Sequence, residues 1–213
     1  MIRTALLVEI EGLLFDTAAV RTTALHDALT AEGIDCHAED VRRAHAGVPA
    51  HVALQTLVTG RTLDDTGQAL VLRRAADLVA NTFMHAAPKF DPDVRDHLFA
   101  LAAEFPIGVV TRAARSDARR MLESIGLDGC IGTVSSLDDA DGTAPHAPWS
   151  ETVTRLRADR GVAFAPLALL RDAAAAGLQT VQVTGLETVI TFGRTTPFTM
   201  VDADVIASLF SFS

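Results

Sequence analysis

Short apolar runs and longer periodic stretches alternate along the chain. Thr4–Ile10 is a short apolar run with β-compatible residues, and Ile107–Thr111 is a second one; such runs are typical of strands buried on both faces. Between them, apolar residues recur at three- and four-residue steps, first in a stretch that ends at Gly33. This spacing places apolar side chains on one helix face and predicts a largely helical segment. The further helices predicted before residue 106 are Glu39–Ala46, Ala50–Val58, Gly67–His85 and Val94–Phe105.

From residue 106 onward, strand and helix patterns alternate. This alternation predicts an α/β fold, a doubly wound parallel sheet with helices on both faces. The helical block that interrupts it is then an inserted α-helical cap. We therefore expect a core domain at 1–16 and 88–213 and a cap domain at 17–87. The predicted later elements are helix Ser116–Ile125, strand Ile131–Val134, helix Ser150–Arg160, strand Leu167–Leu170, helix Asp172–Ala176, strand Thr180–Val183 and helix Ala203–Phe210.

Composition narrows the class of protein. The chain has 213 residues, 49% hydrophobic and 21% charged, so it can bury a sizeable core and is not a disordered protein. A formal net charge of -9 argues against a nucleic-acid partner. No apolar run reaches the ~18–20 residues of a membrane helix, so we expect no membrane partner. Cys36 and Cys130 lie far apart, and we expect two free thiols in a cytoplasmic protein.

Two segments carry polar residues in a distinctive order. Residues 9–17 read Glu-Ile-Glu-Gly-Leu-Leu-Phe-Asp-Thr, and residues 109–112 read Val-Val-Thr-Arg at a predicted strand end. The first is similar to the pattern Asp-x-Asp-Gly-Thr-Leu-x-Asp-Ser/Thr, and the second to a strand that ends in Ser or Thr. With these motifs the chain resembles the haloacid dehalogenase (HAD) superfamily, in its helical-cap subgroup of phosphatases and phosphoglucomutases. Gly177-Leu178 and residues 203–209 also fit that subgroup.

The resemblance implies a HAD-like Rossmannoid core and Mg²⁺-dependent phosphoryl transfer, with roles for individual residues. In the family, one Asp attacks the phosphoryl group and a second acts as general acid and base, and Glu9 and Glu11 stand at these positions. Thr111 stands where the family's Ser or Thr binds phosphate, with Arg112 beside it. If the protein is active, Glu9 and Asp172 would hold Mg²⁺.

The catalytic positions depart from the family's residues. Each glutamate adds a methylene that moves the carboxylate by roughly 1.5 Å, and misplacement by ~1 Å can cost on the order of a hundredfold in rate. The family's third-motif Lys aligns with Ala144 or Ala147, and the only lysine, Lys89, lies at the predicted junction of cap and core. Arg171 stands where the fourth motif has an acid. The stretch from Asp172 to Gly177 is about seven residues shorter than the family norm, which corresponds to roughly 10 Å of helix.

Structural interpretations stand beside the functional ones. Glu9 and Glu11 are also consistent with inherited polar residues at a solvent-facing strand end, and Asp172 with the N-cap of a short helix. A further hypothesis explains the substitutions at the catalytic positions together. The guanidinium of Arg171 would pair with Glu9 or Glu11, and this ion-pair cluster would replace the metal.

Three functions follow as alternatives. The first is a phosphohydrolase relative with substituted catalytic residues, a pseudoenzyme that binds a small phosphorylated molecule or a protein partner in the cleft between cap and core. The second is an active Mg²⁺-dependent phosphatase or phosphotransferase that acts on a small phosphorylated metabolite through Glu9 and Glu11. The third is a structural subunit of an assembly. The missing Lys and the cation at Arg171 favour the first.

Overall fold

The structure is a computed structural model, and it describes residues 2–15, 17–45, 50–60, 63–85, 89–137, 144–185 and 188–211. The chain divides into two compact units. One comprises Met1–Asp16 and Lys89–Ser213, and the other comprises Thr17–Pro88.

A single sheet forms the centre of the first unit. In the described residues it has seven strands in the order β3-β2-β1-β4-β5-β6-β7. The strands β1 to β5 are parallel to one another, whereas β6 and β7 are antiparallel additions at one edge. The α/β class with a doubly wound parallel sheet is therefore confirmed. The strands are β1 (Thr4–Val8), β2 (Ile107–Thr111), β3 (Ile131–Ser136), β4 (Arg160–Pro166), β5 (Gln179–Gly185), β6 (Thr188–Thr191) and β7 (Arg194–Pro197).

The two central strands are buried along their whole length. Every residue of Thr4–Val8 and of Ile107–Thr111 is buried, which explains why both segments are continuous apolar runs in the sequence. Val8 pairs with Val109 on one side and with Phe164 on the other. The carboxyl ends of these three strands consequently lie side by side, at the edge where α/β sheets bind ligands.

Helices connect the strands of the first unit. Local signals explain where one of them begins, because the Asp91 side chain accepts from Val94 N–H (2.9 Å) and Pro92 occupies the first helical turn. A short 3₁₀ turn, Phe198–Met200, precedes the last helix. The helices of this unit are α5 (Pro92–Leu101), α6 (Arg115–Ser124), α7 (Ala147–Arg155), α8 (Leu167–Ala175) and α9 (Ala203–Ser208).

The second unit is helical and is inserted between β1 and β2 in the sequence. Its apolar core includes Leu25, Leu29, Val41, Leu54 and Val71, each at most 1% exposed. No helix in the described residues of either unit combines the length and the apolar character that crossing a membrane requires. The helices of the second unit are α1 (Ala18–Ala31), α2 (Ala38–His45), α3 (Ala50–Val58) and α4 (Asp65–His85).

The predicted strand Leu167–Leu170 is wrong. The strand is β4, Arg160–Pro166, and Leu167 begins helix α8. Residues 161–170 form one unbroken apolar run, and periodicity cannot separate a buried strand from a helix inside such a run. In the structure Leu169 and Ala173, four residues apart, both face the core, whereas Leu167 is 68% exposed. This spacing of buried residues is typical of a helix. The predicted helix Ser150–Arg160 likewise ends at Arg155, because the next residues lead into β4.

The hairpin of β6 and β7 was not predicted from the sequence. Phe192 and Gly193 form its two-residue turn, with φ of 50° and 74°. Positive φ at both central residues matches the twist of a hairpin, but the usual sequence signal is Asn-Gly or Asp-Gly. A Phe-Gly pair does not carry that signal, so the turn was missed.

A first prediction concerns Gly108 in the middle of β2. A Cβ at this position would lie 2.5 Å from Cγ2 of Thr152 and 3.0 Å from Cδ1 of Leu156. Thr152 has little freedom to move, because its Oγ1 donates to Pro148 O (2.7 Å). We expect Gly108→Ala to lower the free energy of unfolding by about 1–3 kcal/mol, measured by urea denaturation. Gly129→Ala is the control, since no atom lies within 4 Å of a Cβ there, and equal losses in both variants would contradict the prediction.

Candidate functional site

The candidate site lies at the carboxyl edge of the sheet, where β1 and β2 end side by side. Glu9 directly follows β1, and its backbone N–H donates to Phe164 O on β4 (2.9 Å). Thr111 is the last residue of β2. The pairing of the two strands therefore brings together two side chains that are 102 positions apart in the sequence.

The Glu9 carboxylate is fully buried and accepts hydrogen bonds at both oxygens. Its Oε1 accepts from the Thr111 hydroxyl (2.8 Å) and from Glu11 N–H (3.1 Å). Its Oε2 accepts from Arg112 N–H (3.2 Å). Three donors from the carboxyl ends of two adjacent strands thus converge on one carboxylate.

A tight turn after β1 directs Glu11 N–H toward Glu9. The turn is closed by Gly12 N–H to Phe15 O and by Phe15 N–H to Ile10 O, both 2.9 Å. Gly12 has φ of +94°, a left-handed conformation that favours glycine over any residue with a Cβ. The Glu11 side chain is also buried, at 4% exposure, and its charge acts on Glu9. Asp16, which completes the sequence motif, lies outside the described residues.

Apolar residues surround Glu9 on the sheet. The register that pairs Val8 with Val109 and Phe164 places Val110 and Ala165 on either side of Glu9. Both belong to a buried cluster that includes Trp149, which is 0% exposed. This burial is the main reason that the pKa of Glu9 rises from 4.5 to about 7. The Glu11 charge raises the pKa further, whereas the Arg112 charge and the donors from Thr111 and Glu11 N–H lower it.

Thr111 and Arg112 serve Glu9 in different ways. Ala113 N–H donates to Thr111 Oγ1 (3.1 Å), which leaves the hydroxyl hydrogen free to point at Glu9. Arg112 acts on Glu9 through its backbone N–H and through its charge. Its Nε–H is buried and has no hydrogen-bond partner among the described residues. The predicted phosphate ligands Thr111 and Arg112 therefore both lie at Glu9, and the Thr111 hydroxyl and the Arg112 backbone N–H are directed at its carboxylate.

The donor set at this edge does not fit Mg²⁺. The ion prefers several oxygen ligands in octahedral order, usually including carboxylates with free lone pairs. Both oxygens of Glu9 are held by donors, and the adjacent strand end offers Ala165 in place of an acid. Within the described residues, no group of three or more His, Cys, Asp or Glu side chains is placed to share a metal ion.

The structure corrects the predicted positions of Asp172 and Arg171. Both lie on α8, past the end of β4, and neither stands at a strand end. Asp172 is an interior helix residue and not an N-cap. Arg171 is exposed and has no ion pair with either glutamate in the described part of the chain, so the proposed ion-pair cluster is wrong. The predicted shortening was counted from Asp172 to Gly177, but the strand ends at Pro166, and nine helical residues follow it before Gly177.

Ala165 and Trp149 complete the site and were missed as site residues. Because β4 ends at Pro166, Ala165 is the residue that flanks Glu9, and an alanine in an apolar run gives no functional signal. Trp149 lies in the first turn of α7 and is buried in the core. Its indole N–H has no acceptor among the described residues. Ala147, one of the positions aligned with the family's Lys, begins the same helix.

Comparison with known proteins establishes the fold of the chain but not its activity. No family model matches the sequence, and no curated protein matches it. Solved structures do match. A β-phosphoglucomutase from Clostridium difficile has a TM-score of 0.74 at 12% identity, covering 100% of this chain and 98% of that chain.

Two other structures agree with it. A putative phosphoglycolate phosphatase from Lactobacillus plantarum has a TM-score of 0.70 at 16% identity, covering 84% of this chain and 86% of its own. A haloacid dehalogenase-like hydrolase from Streptococcus pneumoniae has a TM-score of 0.69 at 14% identity, covering 84% and 83%. At these identities the likeness establishes architecture. The chain therefore has the haloacid dehalogenase-like fold with an inserted helical unit, which confirms the fold that the sequence resemblance predicted.

Proposed function

We propose that this protein is a haloacid dehalogenase-fold pseudoenzyme, which binds a partner and does not turn over phosphate esters efficiently. The observation that carries the proposal is the arrangement of Glu9, whose carboxylate engages Thr111, Arg112 N–H and Glu11 N–H at once. Substitution of Glu for the family's Asp supplies the extra methylene that reaches these donors.

The arrangement disfavours nucleophilic attack by Glu9. A carboxylate nucleophile needs an uncommitted oxygen in line with the phosphorus, at roughly 3–3.5 Å. Here both oxygens accept hydrogen bonds, and three donors suited to the charge of a transferred phosphoryl group, the Thr111 hydroxyl and two backbone N–H groups, are already used. A phosphoryl oxygen would have to displace Glu9 before it reached Thr111.

The charge at this edge also disfavours a phosphorylated ligand. Two buried carboxylates, Glu9 and Glu11, lie at this edge, and the Arg112 charge acts on Glu9. Leu167, which directly follows the strand end at Pro166, is 68% exposed. These residues support an uncharged or basic surface of a protein partner as the ligand class, in place of a phosphate ester. A cytoplasmic location is part of the proposal, supported by Cys36 and Cys130, neither of which forms a disulfide in the described part of the chain.

The test combines metal binding with turnover. We expect Mg²⁺ up to millimolar levels to leave the melting temperature of the wild type unchanged. A bound metal at ~100 times its dissociation constant would instead stabilise the fold by ~2.7 kcal/mol, a rise of several degrees. Hydrolysis of p-nitrophenyl phosphate should be equal in the wild type and in Glu9→Gln.

The control variant is Asp172→Ala, because Asp172 lies on α8 away from the strand end. Its response to Mg²⁺ should equal that of the wild type. A rise in melting temperature together with hydrolysis that Glu9→Gln abolishes would contradict the proposal, and would establish an active phosphatase that uses Glu9. A stable oligomer on size-exclusion chromatography without any captured partner would favour a structural subunit instead.

A further inference from the structure

We propose that the hairpin of β6 and β7 is a self-association surface, through which two copies of this chain pair their β7 strands antiparallel about a two-fold axis at Thr195. β7 is an edge of the sheet in the part of the chain that the structure describes. Three of its four residues are exposed. Three strands lie between β7 and β1, which Glu9 follows, so the inference goes beyond the proposed function and does not depend on it.

The backbone of β7 directs the hydrogen-bonding groups of Thr195 outward. Thr191 and Arg194 pair across the two-residue turn. The pair that closes such a turn exchanges both backbone hydrogen bonds, so Arg194 and, two residues later, Thr196 face β6. Thr195, which lies between them, therefore directs its N–H and C=O away from β6. The position of Pro197 agrees, since a proline in an edge strand lies where its missing N–H would face solvent.

A second copy of β7 is complementary to these outward groups. With Thr195 opposite Thr195 of the second copy, the two residues exchange both backbone hydrogen bonds. Gly193 then lies opposite Pro197, whose carbonyl accepts from Gly193 N–H. Arg194 lies opposite Thr196, whereas a shift of each strand by half a step would place Arg194 opposite its own copy. Like charges directly opposite are destabilising, which selects the register centred on Thr195.

Phe192 is an unusual residue for an exposed hairpin tip. Its φ of 50° is left-handed, a conformation that is rare for a bulky side chain, and the residue is 56% exposed. Asn is the residue favoured before Gly in such a turn. Because the turn itself disfavours an aromatic residue here, the strained backbone indicates a role for the ring beyond the turn.

The two-fold pairing supplies that role. Phe192 precedes β7, and the 3₁₀ turn Phe198–Met200 follows it. In the antiparallel register Phe192 of each copy lies opposite the 3₁₀ turn of the other, whose Met200 is 63% exposed. The exposed apolar residues at the two ends of β7 are thus brought together twice, which favours a second copy of this chain as the partner.

The contact is short, so we expect the dimer to be weak and reversible. It falls below the roughly 1,200 Å² of a stable interface, and a dissociation constant of about 10–100 μM is expected. The chain is then a monomer at low concentration. This behaviour distinguishes the dimer from the stable oligomer of a structural subunit.

Sedimentation velocity from about 5 to about 500 μM measures the association. We expect the wild type to pass from monomer to dimer over this range. Thr195→Pro should raise the dissociation constant at least about tenfold, because each copy loses the central N–H donor. The hairpin itself is spared, since this N–H does not serve β6. Thr195→Val is the matched control, which keeps the N–H and the β-branched shape and should dimerise within about twofold of the wild type.

Phe192→Asn separates the ring from the turn. Asn-Gly is a favoured turn sequence, so the melting temperature should be maintained or raised, whereas the dissociation constant should rise about tenfold through loss of the apolar contact. Met200→Ser should weaken the dimer in the same direction.

Three results would overturn the inference. A wild type that stays monomeric throughout the range is the first, and it would leave the hairpin to a different partner. The second is a folded Thr195→Pro or Phe192→Asn variant that dimerises as the wild type does. The third is Thr195→Val losing as much affinity as Thr195→Pro. If Thr195→Pro does not fold, Phe192→Asn decides. Turnover and Mg²⁺ binding test the proposed function separately, so the two failures are distinguishable.

Discussion

Replacing Glu9 with glutamine is expected to remove a large pH dependence from the stability of the fold. Burial raises the pKa of Glu9 from 4.5 to about 7, so the folded state holds a proton that the unfolded state releases between these pH values. The stabilising contribution of protonated Glu9 is complete below pH 4.5 and is lost as the pH rises through about 7. The loss amounts to about 3 kcal/mol.

The measurement is urea denaturation of both proteins from about pH 4 to about pH 8. The stability of Glu9→Gln relative to the wild type should rise by about 3 kcal/mol across this range. Other titrating groups cancel in the difference. Glu11→Gln is the control, because the Glu11 charge is only the second cause of the raised pKa and its removal should reduce the effect without abolishing it. Parallel stability curves for Glu9→Gln and the wild type would contradict a buried, proton-binding Glu9.

Truncation of Trp149 is expected to be the most destabilising single change near the site. The side chain is 0% exposed and packs in the cluster that contains Val110 and Ala165. Trp149→Ala should lower the free energy of unfolding by about 3–5 kcal/mol, because it removes apolar burial and leaves a cavity. Trp149→Phe should cost clearly less, since a ring remains and the indole N–H, which lacks an acceptor among the described residues, is removed.

Urea denaturation measures these changes, with Phe99→Ala as the control. Phe99 lies on α5 and is 60% exposed, so its truncation should change stability by no more than about 0.5 kcal/mol. A loss for Trp149→Ala as small as that of Phe99→Ala would show that the core tolerates the cavity, contrary to the packing described.

One methylene accounts for much of the difference between this site and a phosphotransferase site. An aspartate at position 9 would end its carboxylate roughly 1.5 Å short of the donors that Glu9 reaches. Glu9 satisfies Thr111 and two backbone N–H groups that would otherwise be buried without acceptors, and an unsatisfied buried donor costs about 1–3 kcal/mol. The glutamate therefore has a structural reason to be retained, whether or not any chemistry remains.

The sequence by itself determined the central architecture. The runs at Thr4–Val8 and Ile107–Thr111 are largely apolar because both faces of a central parallel strand are buried, and their shortness favours a strand over a helix. The juxtaposition of Glu9 and Thr111 was also predictable. Glu9 follows one such strand and Thr111 ends the other, and the carboxyl ends of parallel strands lie at the same edge of a sheet. Gly33, which has a φ of 73° just past the end of α1, acts locally and so was visible in the sequence as the end of the first helical stretch.

The rest of the site was decided by the tertiary structure. The apolar run at 161–170 contains both a strand and a helix turn, and only packing of Leu169 and Ala173 on the sheet separates them. That separation places Ala165, and not Asp172, beside Glu9. The role of Glu9 as an acceptor for three donors likewise depends on distances set by strand register and by the turn at Gly12. The types of residue in the sequence indicate which chemistry is possible, whereas strand register and side-chain packing determine which atoms come into contact.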